Sequence, residues 1–205
     1  MAATNSKTGI ANLALIHLGQ PTINNIDTPG NSHGASTMAL VYDDARQMTL
    51  RAGAWRFALR RDRISRDSAT PTHSWAYQFT LPTNCMLLHQ VGEDSEPLEV
   101  NESYKIEGRK IITDEEGPLA IVYVDDISDV SQFPSDFKFA MAAYLAHLGA
   151  PDILKSSEKA AEMLKLYEYY MEMAANNNAL ENPPRKRSRS RWLQAQRNLG
   201  PRRIY

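Results

Sequence analysis

Two kinds of apolar spacing alternate along this chain, and where one gives way to the other the architecture can be read. Near the start, Ile10, Ala11, Leu13, Ala14, Leu15 and Leu18 recur every three or four residues, which stacks them on neighbouring turns of a helix. They occupy most of the circumference, so the helix predicted over 6–18 is buried on several sides. Ser6 is its candidate cap, and Gly19 with Pro21 is its stop. A second helix is predicted over 34–52, with Met38, Val41, Tyr42, Ala45, Met48 and Ala52 on one face and Gly53 at its end. The stretch 21–33 between them contains Pro29-Gly30-Asn31-Ser32 and reads as a loop. A third helix begins near Pro134-Ser135-Asp136, carries Phe137, Ala140, Met141, Tyr144, Leu145 and Leu148, and is expected to stop at Gly149 and Pro151. A fourth is predicted over 152–176 with two adjacent stripes. One is Ala160, Leu164, Tyr167, Met171 and Ala174; the other is Met163, Leu166, Tyr170 and Met173. So wide a face has two readings. Either the helix packs on its own domain and on a second copy, with Leu164, Tyr167, Tyr170 and Met171 as subunit-packing residues, or it is embedded in one monomer.

Between helices two and three the period changes to two. Strands are predicted over 75–81, 85–91, 98–100, 104–106, 109–113 and 119–124, the last being the run Leu119-Ala120-Ile121-Val122-Tyr123-Val124. Glu107-Gly108-Arg109-Lys110 is a hairpin turn between two of them. Residues 55–64 could add a further strand, whose Arg56, Arg60, Arg61 and Arg63 need solvent, carboxylates or a partner. Short strands joined by tight turns indicate an antiparallel sheet. The expected class is therefore α+β: about four helices in a bundle, a small antiparallel β domain inserted into it, and an extended C-terminal arm. The parts are 1–54 (N-terminal helical half), 55–132 (β-rich insertion), 133–178 (C-terminal helical half) and 179–205 (basic arm). Neither helical half has a complete core alone, so the two should pack together.

Charge changes this picture at one end. The net value of −1 conceals an asymmetry: after Glu181 no acidic residue occurs, while Arg185, Lys186, Arg187, Arg189, Arg191, Arg197, Arg202 and Arg203 do. Setting those eight aside leaves 15 basic against 24 acidic residues, a body of about −9 carrying an arm of +8. Asn176-Asn177-Asn178 is expected to exhaust the last helix, and Pro183-Pro184 to prevent its continuation. The arm cannot build a core of its own. It does carry Trp192, Leu193, Leu199, Ile204 and Tyr205 among its charges, a combination suited to docking on a partner after folding. Nucleic-acid binding is the rival use of such a segment, and a merely solvated tail is a third.

Catalytic chemistry has little to stand on. His17, His33, His73, His89 and His147 show no ligand spacing with one another, and no phosphate loop or nucleophile elbow is present in the sequence. No cofactor or metal is called for. Cys85, the single cysteine, excludes an intrachain disulfide and reads as a buried thiol. Asp125-Asp126 and Glu115-Glu116 are adjacent carboxylates expected to be solvated. Two carboxyl groups brought together by folding are the minimum for glycoside hydrolysis, which keeps a hydrolase as the enzyme alternative. The N-terminus lacks a secretory layout and no apolar run is long enough to cross a bilayer, so synthesis as a soluble cytoplasmic protein is expected.

An ordered series of segments resembles a known family. Trp75-Ala76-Tyr77-Gln78-Phe79-Thr80-Leu81-Pro82-Thr83-Asn84-Cys85 is similar to the W-x-Y-x-x-x-L-P-x-D-C segment of podovirus head-to-tail connector proteins, also called adaptors or tail tubular A-like proteins. The likeness continues through Tyr104-Lys105-Ile106-Glu107-Gly108, Ile112-Thr113-Asp114, Ile121-Val122-Tyr123-Val124 and Phe133-Pro134-Ser135-Asp136-Phe137 into Ala140-Met141-Ala142-Ala143-Tyr144-Leu145-Ala146. Upstream, Asp43-Asp44-Ala45-Arg46 and Trp55-Arg56-Phe57-Ala58 also fit, so it spans about 6–178. Asn84 stands where the family commonly has an acid. The resemblance implies a homododecameric ring at the head–tail junction of a virion, with the portal protein on one side and the nozzle (tail tubular B-like) protein on the other. Tail fibres are possible further partners, and genomic DNA would pass through the lumen; because some tail components degrade cell wall, the hydrolase alternative is a murein hydrolase. It also implies a C-terminal extension that grips the portal, a role that here falls on the arm residues named above. Carboxylates on the acidic body would then either keep a DNA channel from adhering to phosphate or serve as ordinary solubilising surface.

Overall fold

The computed structural model describes residues 5–30, 32–72, 74–93, 96–100 and 102–181. The arm residues from Arg185 to Tyr205 lie outside the described residues, as does His73.

The fold is α+β. Among the described residues, four helices, α1 (Lys7–His17), α2 (His33–Arg51), α3 (Ser135–Ile153) and α4 (Ser157–Leu180), enclose one core. Seven strands lie between α2 and α3 among the described residues: β1 (Leu59–Ile64), β2 (Tyr77–Thr80), β3 (Cys85–Glu93), β4 (Glu96–Pro97), β5 (Tyr104–Glu107), β6 (Lys110–Thr113) and β7 (Leu119–Asp125). Serines start three of the helices. Ser6 accepts from Gly9 N–H (3.0 Å), Ser32 from Ala35 N–H (3.3 Å) and Ser156 from Lys159 N–H (3.2 Å), each satisfying an amide that the first turn leaves without a partner. The α1–α2 loop is pinned by Asn12, whose side chain accepts from Ile23 N–H (2.7 Å) and donates to Ile23 C=O (3.0 Å).

The strands form two antiparallel sheets, ordered β1-β7-β3-β4 and β2-β6-β5. In β7, Leu119, Ile121 and Tyr123 point one way and join Phe79, Ile111, Tyr104, Val91 and Cys85 in a cluster shared by both sheets. Val124, of opposite pleat parity, joins the helical core together with Trp55, Ala58 and Phe133. The expected turn at residues 107–110 closes the β5–β6 hairpin, with Glu107 opposite Lys110 and Gly108 at φ +61°, a conformation that favours glycine. Residues 55–64 divide between a short 3₁₀ turn, Arg56–Ala58, and the edge strand β1.

Several expected boundaries move. α3 does not stop at Gly149; it runs through Pro151 to Ile153, and the Leu154 N–H closes the last turn on Ala150 C=O (2.9 Å). Gly149 serves packing instead, because a Cβ there would lie 2.2 Å from Met38 Cε of α2. α4 begins at Ser157 rather than 152, after a reversal in which Lys155 takes φ +50°. Nor does the asparagine run end it. α4 continues to Leu180, since the side chains of Asn177 and Asn178 are held by the body. Residues 98–100 do not form the expected strand; they contribute an isolated bridge, Val100 to Tyr104, and a hydrogen bond from Leu98 N–H to Val91 C=O (2.9 Å).

Candidate docking surfaces

Where the arm would leave the body, the last turn of α4 is fastened to two distant segments. Asn178 Nδ2 donates to Ala54 C=O (3.0 Å), and its Oδ1 accepts from Arg56 N–H (2.9 Å). Arg56 in turn donates from its guanidinium to Glu181 C=O (2.8 Å), and Asn177 Nδ2 donates to Asp136 Oδ2 (2.9 Å). These groups rim a narrow cleft whose floor includes Trp55, Phe57, Phe137 and Ala174. Carbonyl groups at a helix C-terminus need outside donors, and Arg56 supplies one of them. Asn177 and Asn178 were missed as anchors because asparagine in sequence signals a helix end. The usable signal was that the amphipathic register of α4 runs into the asparagines without a glycine to stop it.

Beneath the cleft lies an aromatic cluster. Phe137 meets Trp55 at 5.3 Å, Phe57 at 4.9 Å and Phe133 at 5.0 Å between ring centroids, mostly edge to face, the arrangement favoured by ring quadrupoles. Trp55 Nε1–H donates to Thr49 C=O (3.0 Å). The stretches 55–58 and 133–137, two of those that carry the family resemblance, thus meet in one place.

The four candidate subunit-packing residues are all half-buried, but not equivalent. Tyr167 packs its ring at a tilt against Tyr144 of α3, 4.8 Å between centroids, and its hydroxyl meets Thr49 of α2; burial raises its pKa. Met171 packs on the helical core, Leu164 is partly covered, and Tyr170 leans on Phe139 at 5.6 Å. The more exposed apolar groups of this region are Tyr169, Met173, Leu180 and Phe139.

Two arginines of the 56–63 stretch find carboxylates. Arg60 pairs with Asp125 (3.0 Å) and Arg63 with Glu93. Arg46, only 5% exposed, is held by Asp126, Asp43 (3.2 Å) and Ile127 C=O (2.9 Å). Burial opposes its charge and the two carboxylates more than offset this, leaving its pKa raised. The expectation of a solvated Asp125-Asp126 pair is therefore corrected: each carboxylate is committed to a different arginine. Asn84 donates to Asp125 Oδ1, so the acid common in the family at this position would here face a like charge. The Asp126 N–H also returns to Asn84 C=O (2.9 Å).

The histidines lie apart in role. His33 and Lys155 both pair with Asp152 (3.1 Å each), which also accepts from Thr37 (2.6 Å). Hydrogen bonds from Thr37 and Lys155 hold the Asp152 carboxyl below the usual range. His147 Nδ1 lies 2.8 Å from Ala160 C=O. His17 Nε2 is buried with no partner, and burial, with Lys159 nearby, lowers its pKa. Cys85 is buried, which pushes its thiol pKa up. Among the described residues no group of three or more metal-ligating side chains is assembled, and no helix is long and apolar enough to cross a membrane. No protein-family model matches the chain, and no curated protein matches it.

Proposed function

We propose that this protein is a structural head-to-tail adaptor of a short-tailed bacteriophage, a dodecameric ring between portal and tail nozzle through which genomic DNA passes. The observation that carries the reading is the clamp at the base of the arm. A 24-residue segment (182–205) with eight basic residues and a run of aromatic and aliphatic anchors leaves a helix end fixed by four hydrogen bonds. A fixed departure point lets every copy present its arm in the same direction. Fork-shaped guanidinium groups then meet portal carboxylates, and Trp192 and Leu193 supply apolar anchorage. Ordering such a segment costs several kcal/mol, offset by extended contact, and many arms on one ring make release slow by avidity. The family resemblance supports the same reading, since two of its segments form the aromatic junction beneath the clamp.

The test is assembly on the cognate portal, with copies per ring counted by native mass spectrometry. The expected result is a dodecamer whose attachment is lost or greatly weakened when the chain is truncated after Glu181, the body keeping its circular dichroism. Undiminished docking of the truncated chain would remove the arm from the account. Tight DNA binding by the full chain, with a log–log salt slope near that of six to eight phosphate contacts, would favour a nucleic-acid accessory protein instead.

A further inference from the structure

The outer face of α4 beyond Lys165 carries a stripe that no described residue covers. Tyr169 (58% exposed), Met173 (42%) and Leu180 (80%) stand four and seven residues apart with Asn176 between them, spacings that place all four on one side of a helix. Phe139 of α3 and Tyr170 extend the patch sideways, Tyr170 lying 5.6 Å from both the Phe139 and Tyr169 rings. Glu168 and Glu172, both exposed, edge the stripe. From 166 to 181 the helix has three glutamates and no lysine or arginine.

We propose that in the free protein this stripe is the seat of the chain's own basic arm, residues 182–205, folded back along α4. Trp192 and Leu193 lie against Tyr169 and Met173 while arginines reach Glu168 and Glu172. Three observations select this occupant. The first is charge: the stripe is acidic and apolar, the arm basic and aromatic. The second is reach. The stripe from Tyr169 to Leu180 is about 16 Å long at 1.5 Å per residue. The eleven residues from Glu181 to Trp192 span up to ~36 Å, enough to turn and return without strain. The third is the failure of the obvious competitor: pairing with α4 of a second copy would set two acidic stripes face to face, which like-charge repulsion disfavours. Tethering at Glu181 keeps the arm at an effective concentration on the order of millimolar, so weak contacts suffice and a tighter partner can displace it. This inference goes beyond the adaptor reading and does not rest on it.

The experiment is site-specific photo-crosslinking in the full chain, with Tyr169→p-benzoylphenylalanine and, at a control site, Leu40→p-benzoylphenylalanine on the 80%-exposed position of α2. Expected from position 169 is a product of monomer mass joining α4 to peptides from 185–205, at a yield independent of protein concentration. That yield should fall several-fold between 50 mM and 0.5 M salt, and several-fold again in Glu168→Lys/Glu172→Lys. No arm peptide above the Leu40 background, or a product of dimer mass, overturns the proposal; the dimer would make a second copy the occupant. Should the Tyr169 variant not fold by circular dichroism, Met173→p-benzoylphenylalanine reads the same contact. Portal docking is measured separately, so loss of one result leaves the other standing.

Discussion

α3 and α4 lie side by side and use their surfaces in opposite ways. α3 is wrapped: Phe137, Ala140, Met141, Ala142, Ala143, Leu145, Ala146 and Ala150 are wholly buried, and even Lys138 is 5% exposed, its ammonium donating to Asn5 (2.6 Å). Alanines on several sides, with Gly149 against Met38, let α1, α2 and α4 all approach one axis. α4 instead buries Ala160, Met163 and Ala174 alone among its residues and turns large apolar groups outward. The difference shows how a helix of ordinary apolar content can serve either as a hub or as a display surface. Small residues make the hub, because close approach by several neighbours requires them. Large residues set at solvent-facing positions make the display.

The contrast predicts a graded set of stabilities. Phe137→Ala, at the centre of the aromatic cluster, should cost about 3–5 kcal/mol, visible as a large fall in the urea midpoint; a loss below about 1 kcal/mol would mean the hub is not where the core energy lies. Asn178→Ala removes two hydrogen bonds at the foot of the arm and should cost about 1–2 kcal/mol. Hydrogen exchange in the last turn of α4 should accelerate with it, while the middle of α3 stays protected. Met173→Ser, on the display face, should shift stability by no more than about 0.5 kcal/mol. A larger loss would show that the outward stripe is part of the monomer core and would erase the comparison.

Much of this division was legible from spacing. The first two helices, the β7 strand and the 107–110 hairpin follow from local pattern, because the side chains that define them also meet their immediate neighbours. What was not legible depends on contacts made across the chain. Gly149 reads as a stop until Met38 is seen against it, 111 positions away. Asn177 and Asn178 read as exhaustion of the helix until Asp136, Ala54 and Arg56 are placed beside them. Asp125 and Asp126, adjacent in sequence, diverge to Arg60 and Arg46 because one closes a strand and the next begins a loop against α2. For the subunit-packing residues, spacing gave the stripes of α4 but not their allocation. Tyr167 and Met171 are absorbed by the monomer, whereas Tyr169, whose exposure no stripe anticipated, faces out.

The pairing of β1 with β7 has a consequence for how such a molecule can vary. Leu59 sits opposite Val124 and Ile64 opposite Leu119, so the chain enters and leaves the β region through neighbouring strands fixed in register. Most of what lies between Ile64 and Leu119 hangs from this doorway, with Met86 and Leu87 of β3 packing directly on the helical core. Segments there that touch neither the helical core nor β7 can be lengthened, shortened or exchanged while the helical body meets the same strands at the same spacing. Loops at the far end can thereby change in length and leave the near end, with its clamp at the foot of α4, untouched.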